Sequence, residues 1–533
     1  MSVPRRQLAA AAVAVAVLFV CYLRLSQTAA VTADGASNVL QAWDMLHGNL
    51  LLHGWWLSDV SFYTTELPQY MLVELVRGVG PDVVHVAAAM TYTLLVVLAG
   101  LLAKGRAGGR AGLIRVLIAA GIMLAPQLGN AATILTLVPD HVGTGVPLLL
   151  IWLIIDRARP RWWVPVVTGV LLAWVQVADS LALLTGVLPL VIACAARTGH
   201  RLARREDGQS MTGGFASCWY ELGLAVAAIG SVAAAALAGR LIRAAGGYFV
   251  WPPSTPLSPI GMLQRHAGLA YHGVLTLFGA DFAGQRPGVE LLFAAVHLVG
   301  VAMAATAFCL AARQFFGSDD LLVPALAAGI VLNLVAYIGS QIPVNIATTR
   351  EIAVVLPYGA VLAGRLLAGP LLAVRRPARI AVVSVAICTL LCYLAAIGYD
   401  AAQRPVPAED QDLVAWLARH HLSHGLGSYW QANSSTVDSG GRIEIRAAVG
   451  RGGLLQRNVL WEAKLAWYDP GSEYANFVVL ARQPSTESVR ISAGAARRAF
   501  GQPARTYRFG RYVVMVWDKN LLATLSPWSG PGA

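Results

Sequence analysis

Residues 32–70 read TADGASNVLQAWDMLHGNLLLHGWWLSDVSFYTTELPQY. This stretch carries the acids Asp34, Asp44, Asp59 and Glu66, the histidines His47 and His53, and the aromatics Trp43, Trp55, Trp56, Phe62 and Tyr63. The chain on both sides of it is apolar, from Leu8 to Tyr22 before it and over 83–103 after it. Hydrocarbon does not solvate carboxylates, so an acid-rich, aromatic loop between apolar segments lies at a membrane surface. That reading makes the chain a polytopic membrane protein. It also makes the loop the first place to look for a site.

Composition agrees. Of 533 residues, 57% are hydrophobic and 13% charged, against about 25% charged in soluble domains. The net charge of +12 would suit a nucleic-acid binder. That class is rejected, because much of the basic excess lies in short loops between apolar segments, where cytoplasmic loops collect arginine and lysine. The 6 cysteines (Cys21, Cys194, Cys218, Cys309, Cys388, Cys392) all fall in apolar segments, which argues against a disulfide framework or a thiolate metal site. The segment after Arg5 and Arg6 has the look of a signal peptide and is read as a retained span.

A crossing helix needs about 20 apolar residues. The stretches 8–26, 83–103, 111–126, 142–156, 163–179, 181–197, 218–240, 289–312, 321–341, 351–371 and 379–398 meet or approach this, which gives about 11 transmembrane helices. Every second loop is basic: Arg5 and Arg6; Lys104, Arg106, Arg110 and Arg115; Arg157, Arg159 and Arg161; Arg197, Arg201, Arg204 and Arg205; Arg313; Arg375, Arg376 and Arg379. The intervening loops hold fewer, among them Arg77, Arg265, Arg286 and Arg350. The asymmetry places the N-terminus in the cytoplasm of a multi-pass plasma-membrane protein, and an odd span count places the C-terminus outside. The exoplasmic loops are then 27–82, 241–288 and 342–350, set within a transmembrane domain of residues 1–398. Pro252, Pro253, Pro256 and Pro259 make the second loop irregular at its start, and a surface helix is expected over 260–278.

Residues 399–533 form the second expected domain. Pro405 and Pro407 mark its start, and Glu409, Asp410 and Asp412 open a helical pattern suited to a helix dipole. β-like runs follow at 427–430, 443–446, 477–480 and 512–517, with a short helix at 493–500 and an irregular tail. The expected fold is therefore a polytopic α-helical membrane protein with a C-terminal exoplasmic α/β domain.

Four features taken together resemble the GT-C superfamily of membrane glycosyltransferases, which use polyprenyl-phosphate donors. They are the acid Asp34 just after the first span, the FYTTELP segment with Glu66, the late Thr348-Thr349-Arg350-Glu351 loop entering a span at Leu356-Pro357-Tyr358, and the GSYW and SGGR segments of the C-terminal region. Within it the chain is most similar to the bacterial branch of protein O-mannosyltransferases and aminoarabinose transferases. The resemblance implies an inverting transfer of a sugar from a polyprenyl-phosphate-linked donor to a cell-envelope glycan, lipid or protein acceptor on the exoplasmic face. Asp34 would be the general base and Glu66 the second acid. Arg350 and Arg265 would hold the lipid phosphate, as a guanidinium matches a phosphate with paired hydrogen bonds. Tyr63, Trp55 and Trp56 would stack on sugar or line the lipid groove.

Plainer readings stand beside these. A juxtamembrane acid can be a solvated span end, and interfacial tryptophans anchor any membrane protein. His420 and His424 have i,i+4 helical spacing but lack further ligands. Asp34 has no DxD partner, so no cofactor is called for and a divalent cation is not favoured. Two other classes remain: a transporter or flippase of a lipid-linked substrate, with Asp179 and Glu221 as its buried acids, and a non-catalytic scaffold whose C-terminal domain binds a partner.

Overall fold

The computed structural model describes residues 5–137, 141–203, 218–251, 255–283, 285, 287–318, 320–451, 454–459, 461–481 and 491–527. Arg204, Arg205, Pro252, Pro253, Arg286 and most of the tail lie outside them. The chain forms two compact units: residues 1–28, 88–239 and 254–405 make the first, and 29–87, 240–253 and 406–533 the second.

The first unit is helical, and each of the eleven apolar stretches becomes a helix. Eight are long and apolar enough to cross a membrane: Arg5–Ser26, Pro81–Lys104, Leu183–Ala203, Trp219–Ala244, Val289–Arg313, Leu322–Gly339, Val355–Ala373 and Ala378–Ala401. The other three, Gly109–Ile122, Gly145–Arg157 and Trp163–Ala178, have 14, 13 and 16 residues. At 1.5 Å per residue they are shorter than the ~30 Å hydrocarbon thickness, so among the described residues eight helices meet the length and composition of a span and three apolar ones are shorter. The first of these stops where Pro126 approaches, and distant tyrosines cover its end. Tyr22 donates to Leu124 O (2.9 Å) and Tyr92 to Met123 O (2.8 Å), so carbonyls left over at the helix terminus are satisfied inside the unit. Helices pack closely through small residues: a Cβ on Gly364 would lie 2.6 Å from the Arg115 carbonyl. The expected helix near 260–278 is present as Leu263–Leu277. Among the described residues, Cys21, Cys194, Cys309, Cys388 and Cys392 form no disulfide.

The second unit is built on a six-stranded mixed sheet. In spatial order its strands are Leu454–Arg457, Glu444–Arg451, His424–Gly427, Phe477–Ala481, Tyr512–Val516 and Arg505–Phe509. His424–Gly427 runs parallel to both its neighbours, and the other pairs are antiparallel. The inward residues Ile445, Phe477, Val479 and Val514 pack with Leu413 and Leu417 of helix Gln411–Arg419. Gly425 is required in the sheet centre, because a Cβ there would meet the Phe477 ring at 2.2 Å.

One β-like run is corrected. The strand ends at Gly427, and Tyr429–Asp438 is a helix. Ser428 and Gln431 bond to each other through their side chains, the spacing of a capping box, and that local signal outweighs the aromatic β-propensity of Tyr429 and Trp430.

The expected boundary near 398 is also corrected. The first loop folds as helices Ala33–Leu46 and Leu67–Arg77 around strand Trp55–Leu57. That strand pairs in parallel with Phe249–Val250 and antiparallel with Ala463–Lys464. Exposed strand edges demand partners, and this three-stranded sheet ties the first loop, residues 240–253 and the C-terminal region into one unit.

Glu74 on Leu67–Arg77 is 2% exposed, and among the described residues neither carboxylate oxygen has a hydrogen-bond partner. Burial raises its pKa from 4.5 to about 9. The folded state therefore keeps a proton that the unfolded chain loses, and stability falls as pH rises across that window. Glu74→Gln is expected to unfold at a higher temperature than wild type at pH 8, with the gap closing towards pH 5. Thermal unfolding in nanodiscs at both values measures this, and a gap independent of pH would refute it.

Candidate functional site

Helix Ala33–Leu46 opens at Thr32, whose hydroxyl accepts from the Gly35 amide at 3.2 Å. This cap puts Asp34 in the first helical turn, where the helix dipole favours negative charge. Asp34 is half-buried and open to solvent on one side. The Tyr429 hydroxyl donates to Asp34 Oδ1 at 2.6 Å and also contacts the Glu462 carboxylate. Burial first, then the two acids, holds the Tyr429 pKa well above its usual value, so the phenol keeps its hydrogen. A phenol has one hydrogen to donate.

Asn433 secures the frame, donating to Ser37 Oγ (2.6 Å) and to the Glu462 carbonyl (3.2 Å). Glu462 is 2% exposed and has a φ of 46°, a left-handed conformation costly for a non-glycine residue. Tyr429 and Glu462 were not among the expected site residues. Tyr429 is 395 residues from Asp34, and Glu462 sits in a short apolar segment without a motif.

The remaining first-loop residues separate by burial. Glu66 precedes helix Leu67–Arg77, is 2% exposed, and accepts from the Thr65 hydroxyl. Trp55 is 1% exposed, donates from Nε1 to Asp44 Oδ2 at 2.7 Å, and packs edge-on to Trp467 at 4.9 Å. It is a core residue with no open face for a sugar, which corrects its expected stacking role. Asp44 also pairs with Lys464 at 2.9 Å and so locks the small sheet. Trp56 is half-buried and stacks on Phe249 at 5.0 Å. Tyr63 donates to Leu50 O at 2.9 Å beside Tyr248.

The helical unit places the expected basic residues around one segment. Residues Ile346–Ile352 form a 3-10 helix capped by Asn345, which accepts from the Ala347 amide at 3.0 Å. Asn333 donates to the Glu351 carbonyl at 3.0 Å, and Tyr337 bonds Thr348 at 2.8 Å. Arg350 is half-buried on this segment. Arg265, exposed on helix Leu263–Leu277, donates to Val344 O at 3.3 Å. The two expected phosphate-binding arginines thus border the same loop.

Beside Arg350 lies a charge cluster that the sequence reading missed. His141 Nδ1 is 2.8 Å from Asp179 Oδ2, and its Nε2 is 3.0 Å from Glu351 Oε2. Thr144 donates to Asp179 Oδ2 at 2.6 Å and the Leu181 amide to Oδ1 at 2.8 Å. Burial opposes charge on His141, but the two carboxylates outweigh it and hold its pKa well above the usual value. An imidazolium donates from both nitrogens, which this geometry requires. Its stabilisation is full below about pH 6.5 and is lost only as pH rises through the higher folded value. His141→Ala strips Asp179, 1% exposed, of its cationic partner. We expect a loss of about 2–3 kcal/mol at pH 6, read by thermal unfolding in nanodiscs. An unchanged midpoint would show the cluster to be energetically idle.

Asp179 is therefore neutralised in place. So is Glu221, which meets Arg197 at 3.1 Å and Arg201 at 2.9 Å. The histidine pair dissolves as well: His420 ends a helix and stacks on Trp416 at 3.8 Å, His421 has a φ of 57°, and His424 begins a strand.

The fold is similar to that of a solved membrane-protein structure. A crystal structure of ArnT from Cupriavidus metallidurans bound to undecaprenyl phosphate matches 96% of this chain and 98% of its own, at 12% identity and a TM-score of 0.52. The apo form of the same protein matches 97% and 100%, at 14% identity and a TM-score of 0.49. An Archaeoglobus fulgidus oligosaccharyltransferase tethered to an acceptor peptide matches 88% of this chain and 69% of its own, at 12% identity and a TM-score of 0.46. No protein-family model and no curated protein sequence matches the chain.

Proposed function

We propose that the protein is an inverting glycosyltransferase that moves a sugar from a polyprenyl-phosphate donor to a cell-envelope acceptor on the exoplasmic face. The observation that carries this is the Asp34 carboxylate. It is part-exposed at a helix N-terminus and is met by the hydroxyl of half-buried Tyr429, which also contacts Glu462. Inversion needs one base facing the acceptor hydroxyl while phosphate departs from the opposite face of the sugar. Asp34 is the base: it takes the hydroxyl proton as the acceptor oxygen bonds to the anomeric carbon and the bond to phosphate breaks. Tyr429 and Glu462 position it. Within the helical unit, Arg350 and Arg265 border one loop and carry guanidinium groups suited to a lipid phosphate. Glu66, buried beside the Thr65 hydroxyl, supports the loop from within. The lipid class follows the ArnT structure of the same fold, which was solved with undecaprenyl phosphate. The scheme assigns no step to a metal ion.

The test is turnover. Protein in nanodiscs is incubated with radiolabelled polyprenyl-phosphate sugars, and donor binding and release of free polyprenyl phosphate are followed. Binding with release supports transfer or donor hydrolysis at this site. Folded protein that binds no donor in the panel would defeat the proposal and return weight to a transporter or a scaffold.

A further inference from the structure

The end of the helical unit that carries the basic loops contains a cavity of about 660 Å³, a size that holds small ligands. Its wall includes Arg106, Arg115, Arg197, Arg201 and Arg365 with the acids Asp156, Glu221 and Asp320. Each acid pairs with an arginine of the wall, leaving Asp156 Oδ2 and Glu221 Oε2 without hydrogen-bond partners among the described residues. Glu221 meets Arg197 and Arg201, and Arg365 binds Asp156 at 2.7 Å and Asp320 at 2.6 Å. Arg106 donates only to a backbone carbonyl, Ala158 O at 3.3 Å. Among the described residues, neither Arg106 nor Arg115 has a carboxylate partner. Arg115 Nε and the Tyr220 hydroxyl, both from cavity-lining residues, are buried and also lack hydrogen-bond partners among them. Two surplus guanidinium groups and unsatisfied polar atoms around one polar cavity call for an anion rich in acceptor oxygens.

We propose that this cavity binds a phosphate-bearing ligand, with Arg106 and Arg115 as its charged contacts. A phosphate offers more acceptor oxygens than a carboxylate and suits two guanidinium forks at once. Trp219, which also lines the cavity and is 46% exposed, marks headgroup depth, where aromatic residues gather. Basic pockets between helices on the cytoplasmic side take anionic headgroups, and arginine asymmetry puts this end in the cytoplasm. The phosphate can come from an anionic phospholipid or from a soluble phosphate ester. The proposal is independent of the exoplasmic transfer reaction.

Delipidated full-length protein is titrated in detergent with phosphatidylglycerol, and separately with glycerol 3-phosphate, by native mass spectrometry. Wild type is compared with Arg106→Gln/Arg115→Gln, with the charge-conserving Arg106→Lys/Arg115→Lys, and with Arg110→Gln as an exposed control in the same loop. We expect affinity to fall about tenfold or more in the glutamine pair, less in the lysine pair, which keeps the charge but not the planar fork, and not in the control. Loss confined to phosphatidylglycerol identifies a lipid source, and loss for glycerol 3-phosphate a soluble one; either upholds the site. Equal binding by wild type and the glutamine pair, or no binding of either probe, overturns it. Arg106→Gln alone, at an exposed side chain, carries the same test if the double variant does not fold.

Discussion

Asp34→Asn is expected to lower turnover by about 10²–10⁴-fold, the usual contribution of a positioned general base, while donor binding stays within about twofold. The substitution removes basicity and little else. Asparagine keeps an oxygen that can accept from the Tyr429 hydroxyl, now 2.6 Å from Asp34 Oδ1, and it keeps the volume of the side chain. The proposed phosphate contacts, Arg350 and Arg265, belong to other elements. The defect therefore belongs in kcat rather than in donor affinity. Single-turnover release of polyprenyl phosphate, alongside equilibrium donor binding, separates the two. An Asn variant that turns over at the wild-type rate would remove Asp34 from the chemistry. Parallel loss of binding and turnover would instead make it a ligand-positioning residue.

Arg365→Ala is expected to destabilise the helical unit by about 3–5 kcal/mol, the cost of leaving one member of a buried ion pair uncompensated. The Arg365 side chain is 6% exposed and holds Asp156 and Asp320 at 2.7 and 2.6 Å. It also donates to the Leu102 carbonyl through Nε at 3.0 Å and through Nη2 at 2.7 Å. Two of these partners decide the magnitude. The Asp156 side chain is only 11% exposed and loses its strong partner, whereas the Asp320 side chain, 38% exposed, falls back on water. The Leu102 carbonyl is left at a helix end without its donors. Gly105 belongs to the same arrangement: at a φ of 53°, an added Cβ would lie 3.1 Å from Arg365 Nη2. Arg365→Lys is expected to recover only part of the loss, because an ammonium cannot reproduce the planar fork. Thermal or denaturant unfolding in nanodiscs reads the difference. A cost below about 1 kcal/mol would place the network among weak surface pairs.

These two residues show what local reasoning reaches. Asp34 stood out because an acid just beyond an apolar segment is conspicuous to anyone reading outward from the lipid. Arg365 was hidden within the span Val355–Ala373, where nothing nearby announces two carboxylates from distant parts of the chain. Trp55 was misjudged for the complementary reason. An aromatic in a surface loop looks available until a partner such as Trp467 covers it.

The sequence by itself determined which stretches form apolar helices, which loops are basic, where Asp34 and Glu66 lie, and most of the C-terminal strands. Solvation in lipid depends on runs of about 20 residues, helix starts on caps, and strands on alternation, and all of these are local. Only the tertiary structure decided that Tyr429 and Glu462 hold Asp34, that His141 joins Asp179 to Glu351, and that three short strands tie the first loop to the C-terminal region. A hydrogen bond between residues hundreds of positions apart leaves no periodicity in either segment. Strands of two or three residues are too short to carry one.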